Sequence, residues 1–252
     1  MTDMRPVGKW LVYSGIFGLL AYSGQLVAPG VSTKFFWLSL VAAGLLLTMG
    51  CQLWQQRDAV RVSYTNTDIV FGLLVLVLLL TSLLSPDVVT SLVSDFARLD
   101  GWLLYFIGFV YFIGLIVYLR ASDWPSFLLV TALAGGLIGL LAFNQRAADA
   151  DVRVASVVDN AMFLGQLMLL ILTFSVYGYL TARTLVFQYL NLGVALIAFV
   201  TLMLSGTRGA VVGLVAGAIV IVALNVIRYV RTSSLTVRNI ARLSGLMVLG
   251  GV

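Results

Sequence analysis

The sequence contains no histidine and no glutamate, and all ten of its acidic residues are aspartates. That removes every histidine-based acid–base scheme and most metal-ligand patterns. The single cysteine, Cys51, lies inside an apolar run, so no disulfide can form within the chain. Charge is scarce as well. Only 10% of the 252 residues are charged, whereas 61% are hydrophobic. A soluble domain cannot hide that much apolar surface, so a polytopic, all-α membrane helix bundle in a lipid bilayer is expected. No low-complexity tract and no repeat of 20–50 residues is present. The net charge of +5 is explained by membrane orientation, and no nucleic-acid partner is expected.

A membrane span needs about 20 mostly apolar residues. Eight segments qualify: 10–28, 36–54, 69–84, 102–119, 127–143, 161–180, 189–204 and 210–227. A ninth begins near Leu243 and runs to Val252. The start "MTDMRPVGKW" lacks a small-residue cleavage site and reads as the approach to an uncleaved first span. Residues 189–227 cannot form one span, because such a helix would be roughly 60 Å long, about twice the hydrocarbon core. The break falls at "SGTRG", where Gly206 and Gly209 lower helix propensity.

Lysine and arginine set the orientation. With the N-terminus in the cytoplasm, ten basic residues lie on cytoplasmic segments: Arg5, Lys9, Arg57, Arg61, Arg120, Arg183, Arg228, Arg231, Arg238 and Arg242. Five lie outside: Lys34, Arg98, Arg146, Arg153 and Arg208. The stretch "SPDVVTSLVSDFARLDG", 85–101, has apolar residues at helical spacing. It reads as a short amphipathic helix on the outer face, with Ser85 and Pro86 as cap and first turn.

Arg98, Arg153 and Arg208 each precede a span that starts at the outer surface, near a helix N-terminus. The macrodipole makes that the wrong end for a cation. A bound anion reverses the sign, since free N–H groups and a guanidinium together suit phosphate. Asp100, Ser156, Asp159, Asn160, Ser205 and Thr207 are candidate caps. Snorkelling to lipid headgroups is the competing role for each arginine. The shortness of "SGTRG" between two spans favours an anion at Arg208. Arg146 and Lys34 lack this setting and are assigned to headgroups. Gly209, Gly213 and Gly217 form a smooth helix face, and "ALAGGLIGL", 132–140, is expected to serve close packing. Trp10, Trp37, Trp54, Trp102 and Trp124 fall near span ends, as an interface belt would. Asp149, Asp151 and Asp159 make no convincing metal site, so none is assigned.

"LSGTRGAVVGLVAG" resembles the Ser-x-x-Arg-Gly-(Ala) signature of the O-antigen ligase/O-antigen polymerase (Wzy-C-like) superfamily. "RVASVVDNAMFLGQLMLLIL" resembles the family segment before it, with Asn-Pro-Asn reduced to "DNA" and Asn160 alone matching. "RLDGWLLYFIGFVYF" and "VAPGVSTKFFWLSLV" are similar to earlier family stretches, so the resemblance covers almost the whole chain. It implies a GT-C-like multi-span glycosyltransferase of the bacterial cytoplasmic membrane. Such enzymes transfer a glycan from undecaprenyl pyrophosphate to lipid A-core, another glycan or a protein, on the outer side. It also implies that Arg153 and Arg208 bind the pyrophosphate, with Arg98 in a similar setting. Ser205, Thr207, Gly209 and Asn160 support them. Arginines that neutralise the leaving group need no metal and no cofactor.

The family's candidate base is a histidine in a large outer loop after further spans, and this chain has none. The expectation is therefore a single transmembrane domain, 1–252, forming the N-terminal part of a longer enzyme. It would hold part of the donor site and no catalytic residue. Two rival readings remain: a bicarbonate-transporter-like carrier and a non-catalytic scaffold for envelope assembly. Every charged residue lies at a predicted span edge, which disfavours ion coupling at mid-membrane.

Overall fold

The structure, a computed structural model, describes residues 4–22, 29–55, 66–95, 99–148 and 153–232. Among these residues all regular structure is helical. The helices are α1 (Arg5–Phe17), α2 (Pro29–Gln55), α3 (Asn66–Leu83), α4 (Val88–Val93) and α5 (Trp102–Tyr118). They continue as α6 (Trp124–Ala148), α7 (Ala161–Thr181), α8 (Leu185–Leu204) and α9 (Arg208–Thr232). Short 3-10 turns follow α1 at Gly18–Leu20 and precede α7 at Ser156–Val158. Six described helices, α2, α3, α6, α7, α8 and α9, are long and apolar enough to cross a membrane, and α5 is a shorter apolar helix. The chain divides into two compact units, Met1–Thr207 and Arg208–Val252.

Several boundaries differ from the sequence reading for local reasons. α1 starts at Arg5 because a proline occupies its first turn, where a missing N–H costs no hydrogen bond. The two short predicted spans begin earlier, at Asn66 and Leu185. The break before α9 falls at residues 205–207, as expected. Among the described residues of the 85–101 stretch, helix is confined to Val88–Val93. Its cap is Asp87, whose carboxylate accepts from the Thr90 N–H at 3.1 Å, so Ser85 and Pro86 lie outside the helix. Thr90 also holds the Asp87 carboxyl below the usual carboxylate range. The ninth predicted span, Arg98, Asp149 and Asp151 lie outside the described residues.

In the first unit, α1 packs on α2 and α5, and α3 and α4 lie against α5. Glycines on α1 and in the 3-10 turn after it receive aromatic rings. Tyr118 of α5 lies on Gly8, Tyr111 of α5 on Gly15, and Trp37 of α2 on Gly18. The rings are tied down by polar tips: Tyr111 Oη donates to the Val12 carbonyl at 2.7 Å and Tyr118 Oη to Thr48 Oγ1 at 2.9 Å. Trp37 Nε1 donates to the Ser14 carbonyl at 2.9 Å, and Trp102 Nε1 to the Val75 carbonyl at 2.9 Å. These two indoles thus join helices, whereas Trp10 and Trp54 are 77% and 81% exposed, as interface residues are.

α6, α7 and α8 form the second packed group of this unit, with α1 touching α6. The "ALAGGLIGL" glycines serve it as expected. A Cβ on Gly135 would strike Ile171 of α7, one on Gly136 would sit 3.3 Å from Val194 of α8, and one on Gly139 would sit 2.6 Å from Ile197 of α8. Close backbone approach of this kind supplies dispersion contact where lipid removes the hydrophobic drive.

At one end of this unit Lys9 of α1 pairs with Asp123 before α6, Nζ to Oδ1 at 2.6 Å. Asp123 also accepts from the Arg120 N–H at 3.1 Å. These hydrogen bonds, Lys9 first, hold the Asp123 carboxyl below its ordinary value of 3.8. A depressed carboxylate contributes stability that is complete above the unfolded value and is lost as pH falls through the folded one. The thermal midpoint in detergent should therefore drop on acidification below about pH 4. The drop should be smaller in Asp123→Asn, and an equal drop in both would refute the assignment.

Candidate functional site

The opposite end of the same unit carries Arg153, Asn160, Ser205 and Thr207, whereas Arg208 and Gly209 begin the second unit. Residues 153–160, between α6 and α7, form a strap that is anchored at every turn. Its backbone is costly by itself. Ser156 and Asp159 have φ of 52° and 61°, the left-handed region, at about 1–2 kcal/mol each for residues other than glycine. Such a conformation persists where surrounding contacts over-determine it. Gln145 of α6 supplies one anchor, its Oε1 accepting from the Ala155 and Ser156 N–H groups at 3.1 and 2.7 Å. Ser156 Oγ donates to the Ile138 carbonyl at 2.9 Å. Asn160 caps α7, its Oδ1 accepting from the Met162 N–H at 2.8 Å.

Lys34, on the first turns of α2, supplies the anchor that the sequence did not reveal. Its ammonium donates to the Ala21 carbonyl at 3.2 Å, the Gly30 carbonyl at 3.1 Å and the Val157 carbonyl of the strap. Asp159 completes the clamp by accepting from the Gly30 N–H. Gly30 is required there, because a Cβ would meet both the Asp159 carboxylate and the Val157 carbonyl. Lys34 is thus a fastener between α2 and the strap, not a headgroup contact as expected.

Arg153 begins the strap and reaches the turn that ends α8. Its Nη2 donates to the Gly206 carbonyl at 2.8 Å and its Nε to the Ser205 carbonyl at 3.4 Å. Residues 52 and 53 positions apart in sequence therefore meet. Gly206 turns the chain with φ of +62°, a conformation that strains any side chain. The turn is also fastened to α7. Thr207 Oγ1 donates to the Ala161 carbonyl at 2.9 Å and accepts from Ser205 Oγ at 3.0 Å. The Thr207 N–H donates to Ser205 Oγ at 3.3 Å. Gly165 of α7 makes room, since a Cβ there would lie 2.8 Å from Ser205 Oγ and from Thr207 Cβ and Oγ1.

The expected site residues therefore separate by role. Arg153, Asn160 and Gly206 are exposed, and a hydrogen bond joins Arg153 to Gly206. Ser205 and Thr207 are buried, and their hydroxyls are consumed in holding the turn, so they cannot reach a ligand. Arg208 and Gly209 are exposed at the start of α9. Of the candidate caps, Asn160 does cap α7. Asp100 instead accepts from Ser94 Oγ, and α5 is preceded by Gly101 without a side-chain cap. Ser156 and Asp159 anchor the strap rather than cap a helix.

Chemically, the strap end presents a guanidinium with capacity left over. Two of the five N–H donors of Arg153 are engaged among the described residues. Lys34 differs, because its three ammonium protons face three carbonyls. Comparison with protein families, curated proteins and solved structures gives no match.

Proposed function

We propose that this chain is the donor-binding part of a GT-C-like membrane glycosyltransferase that uses undecaprenyl-pyrophosphate-linked glycans. In this reading it crosses the bacterial cytoplasmic membrane eight times, with the N-terminus inside and the strap outside. The observation that supports it is the hydrogen bond from Arg153 to Gly206. Arg208 follows Gly206 by two residues, so its Cα lies within about 7.6 Å of the Gly206 Cα by covalent geometry alone. Arg208 thus follows, along the chain, the turn that Arg153 grips. Guanidiniums suit a pyrophosphate, whose charge grows as the glycosidic C–O bond breaks. The acceptor hydroxyl attacks the anomeric carbon, its proton passes to a base, and undecaprenyl pyrophosphate departs. The chain contains no histidine, and no base is assigned to it.

The test is donor binding by the full chain in nanodiscs. Arg208→Ala should weaken binding of a lipid-linked glycan by about 10- to 100-fold, the worth of one charge-assisted contact. Arg208→Lys should recover only part of it, because an ammonium cannot make a bidentate contact. Wild-type affinity in both variants would overturn the proposal. Solute uptake into proteoliposomes without glycan binding would replace it with a carrier.

A further inference from the structure

We infer that Lys34 and Asp159 are positioning residues, which hold the strap so that Arg153 meets the pyrophosphate from a fixed place. The inference rests on the donor-binding reading and adds to it one residue of α2 and one of the strap. Four observations carry it. The Lys34 ammonium donates to carbonyls from three segments: the end of the 3-10 turn after α1 (Ala21), its own helix (Gly30) and the strap (Val157). All three of its protons are then spent, which leaves none for a ligand. Asp159 returns the contact by accepting from the Gly30 N–H. Ser156, just before Val157, and Asp159 itself take left-handed φ values that need an external hold.

The clamp acts on Arg153 through the chain. Arg153 lies four residues before Val157, and the Gln145 amide fixes the two N–H groups between them, at Ala155 and Ser156. A strap fastened at Ala155, Ser156, Val157 and Asp159 has little freedom at its start. An arginine so placed need not be ordered again when an anion arrives, and that saving in entropy favours binding. Removing the ammonium frees the Val157 carbonyl and leaves the Asp159 carboxylate without its neighbouring cation. The left-handed turns then relax, and the guanidinium samples positions away from the Ser205–Gly206 turn.

Two measurements on the full chain test this. In a Cys51→Ser background, Val157→Cys is labelled with a membrane-impermeant maleimide, which reads strap order whether or not a donor binds. Binding of undecaprenyl pyrophosphate is read separately in nanodiscs. Adding Lys34→Met should raise the labelling rate several-fold and weaken probe binding about tenfold, and Lys34→Arg should restore both in large part. In a double-mutant cycle, Lys34→Met should cost much less on top of Arg153→Ala than alone, since it acts through that residue. Unchanged labelling in Lys34→Met overturns the clamp. Raised labelling with unchanged probe binding overturns the positioning role, and a binding loss in Arg208→Ala then leaves the donor reading standing. Full additivity with Arg153→Ala overturns it too, by making Lys34 a direct ligand. A wild-type chain that fails to bind the probe sinks the donor reading and the positioning role together.

Discussion

On the donor-binding reading, Arg153→Ala is expected to weaken binding of a lipid-linked glycan by about a thousandfold, beyond the effect of Arg208→Ala. Two losses coincide in this one substitution. The first is a cation that would face the donor pyrophosphate. The second is the pair of hydrogen bonds to the Ser205 and Gly206 carbonyls, which fix the turn leading into Arg208. Loss of the pair frees the Ser205–Gly206 turn. Arg153→Lys separates the two effects, because it keeps the charge but cannot span both carbonyls from one planar group. Donor binding measured in nanodiscs should rank wild type above Lys and Lys above Ala, with all three inserted at similar levels. Equal binding by wild type and Arg153→Ala would remove this residue from the site.

Gly165→Ala is expected to give the largest loss of stability from the smallest change. A Cβ at this position falls 2.8 Å from three atoms of Ser205 and Thr207, closer than any real contact allows. Those atoms cannot step aside cheaply, since both hydroxyls are already engaged in the turn and with the Ala161 carbonyl. Overpacking a fixed site costs about 1–3 kcal/mol. For a chain of this size that is a fall of roughly 2–10 °C in Tm, read by thermal unfolding in detergent. Gly193→Ala is the control. It is also a mid-helix glycine, but a Cβ there meets nothing within 4 Å. Helix propensity alone then acts, and its Tm should hold or rise. A Gly165→Ala protein as stable as Gly193→Ala would show that α7 and the turn are not in contact.

The helices were largely legible in the sequence because hydropathy is a property of windows, and windows survive small local errors. The break at residues 205–207 was legible for a similar reason, since no helix of double length fits a bilayer. The ends were less so. Pro6 belongs to the first turn of α1, and Asp87 rather than Ser85 caps α4, because capping is decided by which single carboxylate reaches an N–H. Arg153 was picked out by its motif, but its meeting with Gly206 is a contact to a carbonyl, and carbonyls carry no residue-specific signal. Lys34 was missed for the same reason, as its acceptors are three backbone oxygens. Ser205 and Thr207 were read as caps or ligand supports. Gly165 marks their burial, but nothing in the sequence separates it from Gly193, which meets nothing within 4 Å.

The strap also bears on the order in which the protein is made. Lys34 closes on a carbonyl 123 residues later, and Arg153 on one 53 residues later. At about 5–20 residues per second, the first contact waits roughly 6–25 s for its acceptor and the second roughly 3–10 s. For most of the first interval α2 is complete and carries a lysine whose strap acceptor does not yet exist. Throughout the second, the strap itself has no turn to grip. The site can be assembled only after α8 has been synthesised, so its last residues arrive as the bolts that close a frame built in their absence.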